Sequence, residues 1–278
     1  MPAEEFKDQD LAGTQFTHVN LSEAHFQDLL LRKARFTHVD LSEAHFHDLA
    51  MRGVRFTGAW MQDLVIEAEV EGSLTVNGVD VLPHIDEVLN ARHPGRETVF
   101  AVRGGDADAF RAAWAVDQKA WAETVERARR LPEEKLHEQV DGEWSFIQTM
   151  RHLVFATDSW IRRAMLGDPW PYDDLDLPFS EMDEIEGMPN DVDARPSLDE
   201  VLALREDRMA SVSKVLADLT DEQLAGTTEP IPQPGYPESE SHPVRRCLGA
   251  IVIEEWEHHL FATRDLAVLE ARDPSDRS

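Results

Sequence analysis

Ile251-Val252-Ile253-Glu254-Glu255-Trp256-Glu257-His258-His259-Leu260-Phe261 reads as the middle of a long helix, because apolar residues recur at helical spacing on both sides of it. It holds two Glu-x-x-x-His pairs, Glu254 with His258 and Glu255 with His259. Residues four apart share a helix face, so a carboxylate and an imidazole at this spacing can share one metal ion. At about 100° per residue, Leu248, Val252, Glu255, His259, Ala262, Leu266 and Leu269 form one seam. That seam is apolar except for Glu255 and His259, while Arg246, Glu257 and Arg264 fall opposite. A buried carboxylate must be paired or metal-bound. The seam therefore favours Glu255 and His259 over the alternative register, Glu254 and His258.

Outward from this stretch, the second half of the chain reads as helical. Residues 106–131 carry Phe110, Trp114, Trp121, Val125 and Ala128 at helical spacing, and Leu131-Pro132 ends the run. Ser145 with Gln148 makes a capping box for a helix to about Leu166, which stops at Gly167-Asp168-Pro169. Ser197 with Glu200 opens another, to about Leu219, and residues 220–224 suit one further turn. Ser241 or His242 ahead of Pro243 starts the last helix, which continues to about Ala271. Long helices with unequal connections predict a bundle. The long connections, 167–196 and 225–242, are rich in proline and acidic residues and carry Trp170, Tyr172 and Tyr236. Such loops serve as lids or binding loops, or simply as solvated surface.

The second helix contains WSFIQTMRHL, which places His152 between apolar turns. His152 with a Glu/His pair from the last helix makes three protein ligands. Catalytic zinc is commonly held by three, with a position left open, and nickel or iron accepts the same set. The competing reading is a buried Glu–His or Glu–Arg pair that only holds the helices together. Gln148 and Asp158 are candidates to orient a ligand, and Arg151, Arg245, Arg246 and Arg264 to hold an anionic group. Cys247 suits a small buried apolar position better than a catalytic one.

Residues 106–271 resemble the DinB/YfiT-like superfamily of metal-dependent four-helix proteins. The resemblance rests on WSFIQTMRHL with the following Asp158-Ser159-Trp160, on EEWEHHLFATRDL, and on helix order and length. It implies a divalent metal held by one His of the second helix and two residues four apart on the last. By position His152 matches the first ligand, and Glu255/His259 or Glu254/His258 the pair. The Glu-x-x-x-His form resembles the mycothiol-dependent maleylpyruvate isomerases. That implies a thiol S-transferase or isomerase acting on a small electrophilic substrate with a low-molecular-weight thiol such as mycothiol. The superfamily also has members with no known activity, so a non-catalytic ligand-binding or interaction module with a degenerate site is the alternative.

The first part of the chain is a repeat. Stepping by five from Phe6 gives Leu11, Phe16, Leu21, Phe26, Leu31, Phe36, Leu41, Phe46, Met51, Phe56, Met61 and Ile66. Residues 16–35, FTHVNLSEAHFQDLLLRKAR, nearly recur as 36–55, FTHVDLSEAHFHDLAMRGVR. This resembles the pentapeptide-repeat family, whose pattern is A(D/N)Lxx. It implies a right-handed quadrilateral β-helix of about three coils with the Phe/Leu/Met series inside. His18 then lies over His38, and His25 over His45, as stacked surface side chains rather than a metal ladder. Residues 65–70 and 73–81 read as capping strands, with Asn77-Gly78 as a turn. The expected division is a capped β-helix over 1–82, a linker with a short helix over 83–105, and the bundle over 106–278. Dimerisation through the open end of the β-helix stays open.

Net charge is −28 from 27 basic and 55 acidic residues, which argues against nucleic-acid or anionic-membrane binding. An acidic repeat that imitates DNA before a topoisomerase is a further alternative. However, residues 1–100 hold only 17 acidic against 8 basic residues, so the acidity is not concentrated on the repeat. One cysteine, no apolar leader and no long apolar run predict a soluble cytoplasmic protein.

Overall fold

The computed structural model describes residues 6, 9–26, 30–46, 50–66, 70, 72–180 and 182–272. The chain divides into two compact units, Met1–Glu67 and Ala68–Ser278.

In the first unit the repeat is written as turns. The amides of Thr14, Ala24, Ala34 and Ala44 donate to the carbonyls of Leu11, Leu21, Leu31 and Leu41, each at 3.1 Å. The side chains of Asp10, Asn20 and Asp40 accept from the amide two residues on, each at 3.0 Å. A short side chain that mimics a turn carbonyl in this way explains the Asp/Asn preference of the repeat. Among the described residues of this segment no strand forms, and the period-five series stands 43–67% exposed. The expectation that this series fills an interior is therefore not met. Burying it needs hydrogen bonds from coil to coil, whereas among the described residues the backbone bonds of the repeat close within single turns. His18, His25, His38 and His45 are all exposed.

The second unit opens with a hairpin, β1 (Thr75–Val76) and β2 (Val79–Asp80), paired antiparallel. Asn77 and Gly78 turn it with φ of 51° and 82°, the left-handed values that an Asn-Gly hairpin turn demands. The strand expected over 65–70 is absent at the described positions 65, 66 and 70; residues 67–69 lie outside the described residues. Helices α1 (Leu82–Arg92) and α2 (Arg96–Phe100) follow. The segment expected to be a linker contributes to the core instead, since Val99 and Val102 are fully buried and α2 packs on the helices described next. Gly95 is required where it stands: its φ is 101°, and a Cβ there would meet Val116 at 2.7 Å.

Four long helical segments carry the rest: α3 (Ala107–Ala128), α4 (Phe146–Thr157), α5 (Leu198–Asp218) and α7 (Val244–Arg272). A short α6 (Asp221–Leu224) precedes the last of them. Asp106 caps α3, and Ser145, Ser197 and Thr220 form capping boxes with Gln148, Glu200 and Gln223. α4 runs on into a π-helical stretch, Asp158–Met165. α3 packs on α7 and α5, and α4 packs on α5 and α7.

Two apolar clusters fill the space between these helices. One includes Phe110, Trp114, Ile161, Val212, Leu248 and Val252. The other includes Trp121, Ile147, Met150, Leu153, Val201 and Leu266. Asp117 of α3 and Arg205 of α5 are buried and fall in sequence between the two clusters, and Glu255 of α7 is buried beside Trp256 of the first. A buried polar group thus sits among the apolar residues of the helices.

Candidate metal centre

α4 supplies His152, and α7 supplies Glu254 and His258. One donor atom of each lies within 4.8 Å of the others. The Glu254 carboxylate is 3.0 Å from His258 Nε2 and 3.7 Å from His152 Nε2. His152 is buried, and Glu254 and His258 are partly buried. His152 Nδ1 lies 3.0 Å from the Leu177 carbonyl. A carbonyl can only accept, so Nδ1 carries a proton, and Nε2 is the ring nitrogen turned toward the carboxylate. Burial works to raise the Glu254 carboxyl, but the two imidazoles outweigh it and hold the group well below the usual carboxylate range.

Aromatic rings wall this group. Trp144 lies 4.5 Å from the His152 ring and stacks on His258 at 5.9 Å. Phe155 lies 6.2 Å from His152, and Phe261 meets His258 edge-on at 6.1 Å.

The seam of α7 is buried as expected: Glu255 is 1% exposed, in line with Leu248, Val252 and Leu266. Its carboxylate does not turn to His152, however. Arg205 of α5 grips it in a two-pronged pair at 2.7 Å and 2.7 Å. Trp121 donates from Nε1 to the Glu255 carbonyl, and its ring faces the Arg205 guanidinium at 5.4 Å. His259 sits edge-on to Trp121 at 5.5 Å, with Nε2 3.3 Å from the Thr263 hydroxyl. Burial, and then the charge of Arg127, lower its pKa. Of the residues singled out in sequence, the structure brings together His152, Glu254 and His258, and leaves Glu255 and His259 apart from them. The preferred register gives way because burial of a carboxylate needs a counter-charge, and an arginine supplies it here.

Asp117 of α3 completes this buried group. Neither of its oxygens has a partner among the described residues. Burial, reinforced by the Glu255 charge and opposed by Arg205, pushes its pKa up to about 9.

The loop 167–196 positions His152 from outside. Arg151, fully buried, donates to the carbonyls of Leu175 (2.8 Å), Asp191 (2.7 Å) and Ala194 (3.4 Å). It thereby clamps the segment that presents the Leu177 carbonyl. Beside it Asp158 is held by Arg208 through Nε at 3.0 Å and Nη2 at 2.8 Å. Burial lifts Asp158 to about 6 against these hydrogen bonds. Asp176 is fully buried with both oxygens unpartnered, and burial followed by the Asp158 charge raises it to about 9.

Gln148, Arg245, Arg264 and Cys247 have structural occupations, whereas Arg246 is exposed with its guanidinium over the Trp160 ring at 5.3 Å. Gln148 caps α4 and donates to the Val192 carbonyl. Arg245 donates to the Val102 and Gly105 carbonyls, and Arg264 pairs with Asp265. Cys247 is buried, and burial pushes its thiol up to about 11. Sequence reasoning missed Arg205 and Arg208. Their signal was available, because Val201, Arg205, Arg208 and Val212 share one face of α5. The Leu177 carbonyl had no signal, since a backbone acceptor has no side-chain signature.

The fold and this side-chain set define a helical protein with a His–Glu–His cluster between two of its helices. Residues 117–262 match the family model of the DinB superfamily, and residues 5–37 and 20–58 match pentapeptide repeats, in eight copies. The DinB match spans more than half of the chain, and the protein belongs to that superfamily. No curated protein and no solved structure matches it.

Proposed function

We propose that His152, Glu254 and His258 hold a divalent metal, zinc in the first instance with nickel or iron as alternatives, in a thiol S-transferase or isomerase. The observation that carries this reading is the convergence of one donor atom each from His152, Glu254 and His258 within 4.8 Å of one another, with His152 Nε2 3.7 Å from the carboxylate. The donor set fits, since two imidazoles and a carboxylate are a common three-ligand arrangement for zinc.

Such an ion supplies Lewis acidity and makes thiolate available at neutral pH. The chain supplies the rest. The Leu177 carbonyl fixes the tautomer and orientation of His152. Trp144, Phe155 and Phe261 keep water from the flanks of the imidazoles. Glu254 contributes one negative charge, so the loaded site keeps a net positive charge. A low-molecular-weight thiol such as mycothiol is the proposed co-substrate, with a small electrophile as substrate. In finer detail, the helical unit is proposed to be a DinB-like four-helix bundle, and the repeats to close into coils of a right-handed β-helix. Among the described residues no helix is long and apolar enough to cross a membrane; we place the protein in the cytoplasm on its single cysteine.

Metal analysis of untagged protein tests the reading. Close to one equivalent of metal per chain is expected, lost in His152→Ala and His258→Ala and weakened at least about 10-fold in Glu254→Gln. Folded protein that takes up no zinc, nickel or iron defeats it.

A further inference from the structure

The two long connections of the helical unit, 167–196 and 225–242, are tied to each other as well as to α4. The Tyr172 hydroxyl of the first donates to the Tyr236 carbonyl of the second at 2.6 Å and accepts from the Tyr236 amide at 3.0 Å. Arg163, buried on the π-helical stretch, donates to the Pro169 carbonyl of the first and to the Gln233 carbonyl of the second. Gly235 lies so close to that guanidinium that a Cβ there would meet it at 2.7 Å. Phe179 meets Tyr236 edge-on at 5.3 Å. Phe155 of α4 takes a tyrosine from each loop, stacking on Tyr172 and on Tyr236 at 5.9 Å.

These ties make the loops interdependent. If either loop lifts alone, the buried Arg163 loses one of its two loop acceptors, and the Tyr172–Tyr236 bonds break. A buried donor left unsatisfied is costly, and a charged one more so. The first loop is also seated on the candidate metal centre. Its Leu177 carbonyl lies 3.0 Å from His152 Nδ1, and Arg151 grips it at the Leu175 carbonyl. A metal taken at Nε2 leaves the ring's proton on Nδ1, so it commits His152 to that carbonyl. A neutral imidazole without metal can place its proton on either nitrogen.

We propose that residues 167–180 and 225–242 form one cap on α4, which opens and closes as a unit, and that metal at His152 latches it. The Leu177 carbonyl carries the effect from His152 into the first loop, and the Tyr172 hydroxyl carries it into the second. Metal binding and cap closure then favour each other, because the metal selects the form in which His152 points its Nδ1 proton at the loop. This deepens the function proposed above by giving the metal centre a conformational control, and it rests on metal binding at His152, Glu254 and His258.

The test is amide hydrogen exchange of the full chain, metal-free and with zinc, with bound zinc measured on the same samples. Zinc is expected to slow exchange at least about 10-fold in 170–177 and in 235–241 together, and less than about 2-fold in the β1–β2 hairpin. Tyr172→Phe keeps the ring on Phe155 and removes the hydroxyl. In that variant zinc should still slow 170–177, while its effect on 235–241 should fall at least about 3-fold. Bound zinc with 235–241 unchanged in the parent chain overturns the cap and leaves the metal reading standing. Slowing spread equally over the hairpin reports global stabilisation and overturns the latch in the same way. An effect on 235–241 as large in Tyr172→Phe as in the parent overturns the link through Tyr172. A chain that binds no zinc overturns the metal reading and the latch together. The parent chain decides the coupling of the two loops even where the variant is unfolded.

Discussion

Glu254 and Glu255 differ by about 100° around α7, and that angle sends one carboxylate to two imidazoles and the other to a guanidinium. Their substitutions should separate cleanly. Glu255→Gln leaves the buried Arg205 charge without its partner, at a cost of about 3–5 kcal/mol of stability in urea unfolding. The same variant should keep its full metal content, because His152, Glu254 and His258 are untouched. Metal loss in Glu255→Gln with unchanged stability would restore the Glu255/His259 register. The helical seam alone marks Glu255 as buried. It does not distinguish metal from arginine as the reason, because both answer the same electrostatic need.

At the scale of elements, α4 and the loop after it act together. His152 is oriented by a carbonyl that belongs to the loop, and the loop is held by Arg151, the residue immediately before His152. Replacing Arg151 by Met keeps the apolar stem and removes the three donated hydrogen bonds. Amide exchange in residues 173–194 should then speed up at least about 10-fold while α3 and α7 keep their protection. Metal affinity should fall about 10- to 100-fold, the usual effect of loosening a ligand's outer partner. Unaltered exchange in the loop would show that Arg151 does not clamp it. Helix starts were legible because capping boxes at Ser145 and Ser197 are local chemistry. The clamp was not, because arginine side chains advertise no particular carbonyl.

For the whole helical unit, the buried polar group of Asp117, Arg205 and Glu255 links stability to pH. Asp117 has a folded pKa of about 9 and an ordinary carboxylate value when unfolded, because burial disfavours its charge. The folded state therefore holds a proton that the unfolded chain releases. Its stabilising contribution is complete below the unfolded pKa and is lost as pH rises toward 9. Asp117→Asn removes this term and leaves those of Asp158 and Asp176 in place. Between about pH 5 and 8 the parent should lose stability relative to the variant, by at most about 1.4 kcal/mol per pH unit. Parallel stability profiles for the two proteins would show that Asp117 is ionised in the fold.

The sequence by itself determined the two-part chain, the period of the repeat, the helix boundaries, the buried seam of α7 and the place of His152 on α4. Each of these is written in periodicity, capping chemistry or the spacing of a few neighbours, so it needs no distant partner. Tertiary structure alone decided which glutamate meets His152, that Arg205 and Arg208 neutralise the inner carboxylates, and that Val99 and Val102 belong to the core. It also exposed the apolar series of the repeat, where the turns close within single repeats. Helical spacing specifies the face a side chain occupies. What waits on that face is supplied by another helix or loop, set there by packing between segments remote in the chain.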